Sequence, residues 1–186
     1  MLQQHGFLEN DLCTDKGKIA SSLEEVPSLV LATLYGKLRD LSIRDFLLYL
    51  SCFSNFREET TNIDTNHHLF PLMQETESLM EQFQSFEIHH GIETGETYLF
   101  QGNTLHIMEA WIDATDEKEM VHVYGLLREK NIFMGEWLKL IVKIHHLCRQ
   151  WEKICNELQD VVFLQKLQDT SSYLLKSVAT NTSLYV

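Results

Sequence analysis

One stretch near the C-terminal end of this chain decides its fold: GEWLKLIVKIHHLCRQWEKIC, at positions 135–155. Its apolar and aromatic residues recur every three or four positions, which places them on one face of an α-helix. This apolar row comprises Trp137, Ile141, Ile144, Cys148, Trp151 and Cys155. Further apolar residues flank the row on both sides, namely Leu138, Leu140, Val142, Leu147 and Ile154. The stretch therefore predicts a long helix that packs against other elements over most of its circumference.

A narrow row of basic residues runs along the same predicted helix, on the side opposite the apolar row. It consists of Lys139, Lys143, His146 and Lys153, at spacings of four, three and seven residues, which is again one helical face. Between positions 137 and 155 the net charge is +3, although the whole chain carries −12. From these residues alone two interpretations stay open, an ordinary solvent-facing stripe and a surface that contacts an anion.

The rest of the chain also carries helical periodicity. Only two prolines and eight glycines among 186 residues argue against an all-β chain with many turns. We expect helices at 14–20, 27–38, 43–53, 68–90, 104–114, 116–130, 134–156 and 159–180, with Thr14 and Ser42 as caps and Pro27 opening the second helix. A loop is predicted at 55–66, and a connection with some extended backbone at 92–102. The predicted fold is all-α, a multi-helix bundle with a long central helix near the C-terminus.

Domain organisation follows from the same patterns. Residues 1–13 have mixed polarity and no clear period, so we interpret them as the tail of a preceding, winged-helix-like element. Residues 14–186 are long enough to bury a core of their own and are predicted to form one helical bundle domain.

Composition predicts a soluble, intracellular protein that does not associate with a membrane. The four cysteines are scattered without any C-x-x-C pair, as is usual for reduced thiols inside cells. The first residues lack the charged and apolar regions of a signal peptide. No apolar run approaches the ~20 residues that a membrane-spanning helix needs.

Charge is distributed unevenly along the chain. Positions 58–117 hold thirteen acidic residues and no Lys or Arg. Such a chain is not a general nucleic-acid-coating protein, so any nucleic-acid contact should be narrow and positioned. The acidic region 58–117 also supports an alternative function, a protein–protein interaction module without nucleic-acid binding.

Signatures of catalysis and cofactor binding are lacking in the sequence. There is no GxxxxGK[ST] and no GxGxxG motif for nucleotides. The histidine pairs at 67–68, 89–90 and 145–146 are poor chelators, because adjacent helical residues point about 100° apart. Cys148 and Cys155 lie in the apolar row and are predicted to be core thiols. We therefore expect no catalytic residue, no metal and no cofactor in this chain.

Four segments, taken in order, resemble one known family. They are GFLENDLCTDKGKIASSL at 6–23, LSIRDFLLYLSCF at 41–53, IMEAWIDATDEKEMVHVYGLLREKNIFMGEWLKLIVKIHHLCRQ at 107–150 and LLKSVATNTSLYV at 174–186. The positions that carry the pattern are Thr14, Gly17, Ala20, Leu50, Ser51, Phe53, Trp111, Gly135, Leu147, Arg149 and Gln150. Over nearly its whole length the chain resembles the C-terminal helical (DSHCT) domain of Ski/Mtr-type, exosome-associated DExH-box RNA helicases.

This resemblance implies a function for the basic row. In that family the domain packs on the helicase motor core, and its long ratchet helix contacts the threaded strand. Lys139 and Lys143 occupy positions where relatives usually have Arg, and His146 and Lys153 continue the row. The implied partners are the motor core, single-stranded RNA (with DNA as a further possibility) and the RNA-decay machinery. ATP and Mg²⁺ would belong to a helicase core outside this chain, which should hydrolyse nothing by itself.

Overall fold

The computed structural model describes residues 2–54, 56, 65–92 and 98–176. The helices are α1 (Asp15–Ser22), α2 (Ser28–Thr33), α3 (Tyr35–Asp40), α4 (Ile43–Ser51), α5 (Phe70–His90), α6 (Leu105–Asp113), α7 (Glu117–Glu129), α8 (Met134–Leu158), α9 (Val161–Leu167) and α10 (Thr170–Leu174). A short 3-10 helix at Gly102–Thr104 precedes α6. Two-residue strands β1 (Leu8–Glu9) and β2 (Leu12–Cys13) form an antiparallel hairpin. The all-α multi-helix bundle predicted from the sequence is confirmed.

Local capping signals in the sequence place several helix starts correctly. The Thr14 hydroxyl accepts a hydrogen bond from the backbone N–H of Gly17 at 3.2 Å. The Ser42 hydroxyl does the same for Asp45 at 3.1 Å, where α4 begins. The Asp116 carboxylate accepts from the N–H of Glu119 at 2.9 Å and begins α7. Each of these side chains satisfies an N–H that has no partner inside the helix.

Two predictions of a single helix are wrong, because in each case the structure has two shorter helices. The predicted helix 27–38 divides at Leu34, whose ψ of 3° leaves the helical range and separates α2 from α3. The bend allows the Tyr35 hydroxyl to donate to Asp160 at 2.8 Å. The predicted helix 159–180 begins only at Val161, because the Asp160 carboxylate caps the N–H of Phe163. It divides again between α9 and α10, and positions 177–180 lie outside the described residues.

Smaller differences concern helix ends and loops. Helix α4 ends at Ser51, two residues earlier than predicted, and α5 begins at Phe70. The predicted loop at 55–66 falls mostly outside the described residues. In the connection at 92–102, Gln101 has the expected extended backbone, and its N–H donates to the carbonyl of Cys52 at 2.7 Å.

Helix α8 runs through the centre of the bundle, as predicted. It packs against α1, α4, α9 and α10. All six residues of the apolar row have no solvent exposure. An aromatic cluster fixes the helix near its C-terminal half, where the Trp151 ring lies 6.0 Å from Tyr35, 6.0 Å from Phe46 and 5.8 Å from Phe163. Burial of each large apolar side chain contributes about 1.5–3 kcal/mol, so the position of α8 is strongly determined.

The N-terminal hairpin is attached to the bundle. Phe7 is buried, and its ring lies 6.2 Å from that of Phe83 on α5. The hairpin also lies so close to α1 that a Cβ atom on Gly17 would collide with the carbonyl of Phe7. The interpretation of residues 1–13 as the tail of a preceding element stays a prediction.

None of the helices in the described ranges is both long enough and apolar enough to cross a membrane.

Candidate functional site

Helix α8 is the element that carries the basic row, and its ends are well defined. At the start, the Glu136 carboxylate accepts a hydrogen bond from the backbone N–H of Phe133 at 3.3 Å. At the end, Gln159 adopts a left-handed conformation with φ of 57°. At 1.5 Å per residue, the distance along the axis from Lys139 to Lys153 is about 21 Å. The row is therefore long enough to follow an extended ligand.

The structure separates the four predicted residues into two groups. Lys139, His146 and Lys153 are exposed. Lys143 is half-buried, and its ammonium group donates to the backbone carbonyl of Phe53 at 3.1 Å. Burial lowers the pKa of Lys143, and the nearby charge of Glu25 opposes that shift.

The exposed side of α8 is rotated from the predicted row. We name it the α8 solvent face, formed by the exposed residues Lys139, Val142, His146, Arg149, Lys153 and Asn156. At about 100° per residue its centre lies roughly 45° from the centre of the predicted row. The segment after α1 covers the edge of α8 on which Gln150 lies. The buried Gln150 side chain accepts a hydrogen bond there from the backbone N–H of Glu24 at 3.0 Å. This contact displaces the solvent-accessible side towards Arg149.

Arg149 is the charged residue of this face that the sequence reasoning did not assign to the site. Its guanidinium Nη1 lies 2.8 Å from the Glu152 carboxylate one turn away. The Arg149 side chain is 57% exposed, whereas that of Glu152 is 19% exposed. The i, i+3 spacing of Arg149 and Glu152 is visible in the sequence, but the direction in which the pair faces depends on the contact between Gln150 and Glu24.

Charge along α8 is less positive than the central stretch suggested. Over Met134–Leu158 the helix also includes Glu136 and Glu157, both exposed. Four basic residues then stand against three acidic ones, a net charge of +1. The acidic residues Glu136 and Glu157 lie near the two ends, so the positive charge is concentrated in the middle of the solvent face.

Three lysines outside the solvent face bind the carbonyls at helix C-termini. Lys143 binds the segment after α4, as described above. Lys166 donates to the carbonyls of Arg39 and Leu41 at 2.7 and 3.0 Å, at the end of α3. Lys176 donates to the carbonyls of Ile112 and Ala114 at 3.2 and 3.0 Å, at the end of α6. A cation is stabilised at such a position, because the last carbonyls of a helix lack hydrogen-bond partners and carry partial negative charge.

His145 lies at the edge of the solvent face, is partly buried and links α8 to α10. Its Nε2 lies 3.1 Å from the hydroxyl of Ser171. Burial lowers the pKa of His145, and the charge of Arg149 acts in the same direction. The imidazole is therefore a neutral structural contact near neutral pH.

The other histidine pairs contribute local contacts. The rings of His67 and His68 stack at 4.5 Å, and the Nε2 of His68 lies 2.8 Å from the Asp45 carboxylate. His89 and His90 are exposed at the end of α5. Within the described ranges, no three His, Cys, Asp or Glu side chains form a group that could hold a metal ion.

The two cysteines of the apolar row are buried, as predicted, and so is Cys52. Burial raises the pKa of all three thiols, that of Cys155 to about 12. Since the thiolate is the reactive form, these side chains are inert packing groups near neutral pH.

Several carboxylates in the described part of the acidic region have partners within the fold. Glu75 pairs with Lys37 of α3, and Asp113 pairs with Arg44 of α4 at 2.7 Å. The buried Glu87 carboxylate accepts a hydrogen bond from the Tyr98 hydroxyl at 2.7 Å. These contacts leave fewer free carboxylates for a docking surface than the sequence count suggests.

Two concave regions lie elsewhere on the surface. A groove of about 690 Å³ between α1, α3 and the α8–α9 turn contains Lys16 and Arg39 together with Asp15 and Asp160. Its charges balance, and Arg39 pairs with Asp160 at 2.6 Å. A second pocket of about 580 Å³ at the α7–α8 turn is mainly apolar and has the exposed Phe133 on its rim.

Chemically, the α8 solvent face can bind an extended anion, because it presents cations at several points along a rigid, buried helix. The cationic groups are those of Lys139, Arg149 and Lys153, and the exposed imidazole of His146 lies between Lys139 and Arg149 along the helix. No protein-family model matches the chain, and a search of curated proteins finds no match either.

Proposed function

We propose that this chain is a non-catalytic accessory domain that guides single-stranded nucleic acid for an ATP-dependent, superfamily-two RNA helicase. The threaded strand contacts α8, and the motor core and the RNA-decay machinery are the partners. ATP and Mg²⁺ act in that core, so the chain alone hydrolyses nothing. The proposal draws on the ordered resemblance to DSHCT domains described above.

One observation supports it best. Helix α8 is buried along its complete apolar row at the centre of the bundle, and it exposes a row of cations on another side. A rigid support matters because cations that are already held in place lose little conformational entropy when the ligand binds. Contacts to phosphates are largely independent of sequence, as a threaded strand requires.

The test is a titration of labelled single-stranded RNA against the chain at low salt. Lys139→Glu combined with Lys153→Glu reverses two exposed charges of the solvent face, and neither lysine side chain forms a hydrogen bond with another residue in the described ranges. The matched control reverses Lys118 and Arg128, two exposed cations of α7. We expect the first variant to lose most of its affinity and the control to keep it.

Equal losses in both variants would indicate only a general effect of net charge and would contradict the proposed face. Absence of binding by the unmodified chain would contradict the proposal itself. The same titration with single-stranded DNA determines whether the sugar contributes to recognition.

A further inference from the structure

Lys143 and Arg149 are the two cations of α8 for which the structure differs from the predicted basic row. Lys143 belongs to the predicted row, but its ammonium group is half-buried and donates to the carbonyl of Phe53 at 3.1 Å. Arg149 lies outside that row, yet more than half of its side chain is exposed. The guanidinium is held by one carboxylate, that of Glu152 at 2.8 Å.

The angular positions of Arg149 and Lys143 around the axis of α8 agree with their difference in exposure. At about 100° per residue, Arg149 lies roughly 30° from the centre of the α8 solvent face, whereas Lys143 lies roughly 90° from it. Along the axis, Arg149 is about 4.5 Å from His146 and about 6 Å from Lys153. Arg149 therefore fills the interval between two exposed residues of the predicted row.

We infer that Arg149 is a further anion contact of α8, and that Lys143 is a positioning residue that holds the end of α4. The ligand group is a phosphate oxygen of single-stranded nucleic acid, so the inference rests on the proposed function. It changes which cations of the helix bind the strand.

The chemistry of the guanidinium suits this role. Arginine has five N–H donors in a planar arrangement, and it can bind a phosphate with two parallel hydrogen bonds. The Glu152 carboxylate contacts Nη1, while more than half of the Arg149 side chain is exposed to solvent. This pairing also restricts the side chain before binding, which reduces the entropy lost on contact with the strand.

Lys143 instead stabilises the fold, through a hydrogen bond to the segment that follows α4. Its ammonium group supplies a donor to a carbonyl beyond the last turn of α4, where no intrahelical N–H is available. The Glu25 charge acts on the same ammonium group. Replacement of Lys143 by methionine keeps most of the apolar side chain, so the main loss is this hydrogen bond.

The experiment measures RNA affinity at several salt concentrations, together with the thermal midpoint, for the full chain. The variants are Arg149→Gln, Arg149→Lys and Lys143→Met, with Lys118→Gln as a control on α7. One phosphate contact on a single strand contributes about −0.7 to the slope of log K against log salt, or roughly fivefold in affinity at 0.1 M salt.

We expect Arg149→Gln to lose about one such contact at an unchanged thermal midpoint, and Arg149→Lys to recover the salt slope. We expect Lys143→Met to lower the thermal midpoint while its slope stays that of the unmodified chain. If the unmodified chain binds RNA and Arg149→Gln keeps its full slope, the inference is wrong and the proposed function stands. A reduced slope for Lys143→Met also overturns it, whereas absence of RNA binding by the unmodified chain overturns both proposals.

Discussion

Replacement of Lys166 by methionine tests whether the lysines at helix C-termini stabilise the fold. Lys166 is half-buried, and its ammonium group donates to the carbonyls of Arg39 and Leu41 at 2.7 and 3.0 Å. Methionine keeps the length and most of the apolar surface of the side chain, so packing changes little. The perturbation is therefore the loss of two charge-assisted hydrogen bonds that join α9 to the end of α3.

The expected magnitude follows from these two bonds. A hydrogen bond to a charged group contributes about 1.5–3 kcal/mol, and the partial access of water to both carbonyls places each bond near the lower limit. We expect the free energy of unfolding to fall by about 3 kcal/mol. For a domain of this size, 1 kcal/mol corresponds to about 2–4 °C, so the thermal midpoint should fall by roughly 6–12 °C.

The assay is thermal and urea unfolding followed by circular dichroism. Lys139→Met is the matched control, because it makes the same chemical change at an exposed position of α8. Surface substitutions of this kind change stability by about 0.5 kcal/mol or less. A shift for Lys166→Met that is no larger than the control's would refute the reasoning, since the two hydrogen bonds would then contribute nothing net.

Two further outcomes follow from single groups. Because burial lowers the folded-state pKa of His145, the unfolded chain binds more protons than the folded one below about pH 6.5, so this group destabilises the fold as the pH falls. Urea unfolding between pH 7.5 and 5.5 should therefore show a smaller loss of stability for His145→Gln than for the unmodified chain, and an equal loss would contradict this assignment. Cys13 is exposed while the other three thiols are buried, so a thiol reagent should modify one cysteine in the native chain and all four after unfolding; rapid native modification of two or more would contradict the burial.

Local signals in the sequence were sufficient for much of the fold. The caps at Thr14, Ser42 and Asp116 act over three residues, so a short pattern determines them. The apolar row of α8 was also predictable, because a core helix repeats its buried positions at a fixed spacing. These features depend on neighbours within one or two turns.

The errors arose where distant residues decide. The division of the predicted helix at Leu34 accompanies the contact between Tyr35 and Asp160, which are 125 residues apart. Lys143 meets the carbonyl of Phe53, 90 residues away, and periodicity carries no information about that partner. The exposure of Arg149 likewise depends on a contact outside its own helix. The cations could therefore be assigned to α8 from sequence, but the side on which that helix is exposed to solvent could not.

The hydrogen bonds that join the two ends of the chain also constrain its order of folding. Gln150 meets Glu24 across 126 positions, Tyr35 meets Asp160 across 125, and Lys166 meets Arg39 across 127. Contacts of such high sequence separation form late, because the loop they close costs entropy before any contact is gained. During synthesis the segment α1–α3 must remain without these partners until α8 and α9 leave the ribosome. The N-terminal helices thus depend for their final arrangement on segments that are synthesised at least 125 residues later, which makes nascent forms a point at which chaperones would act.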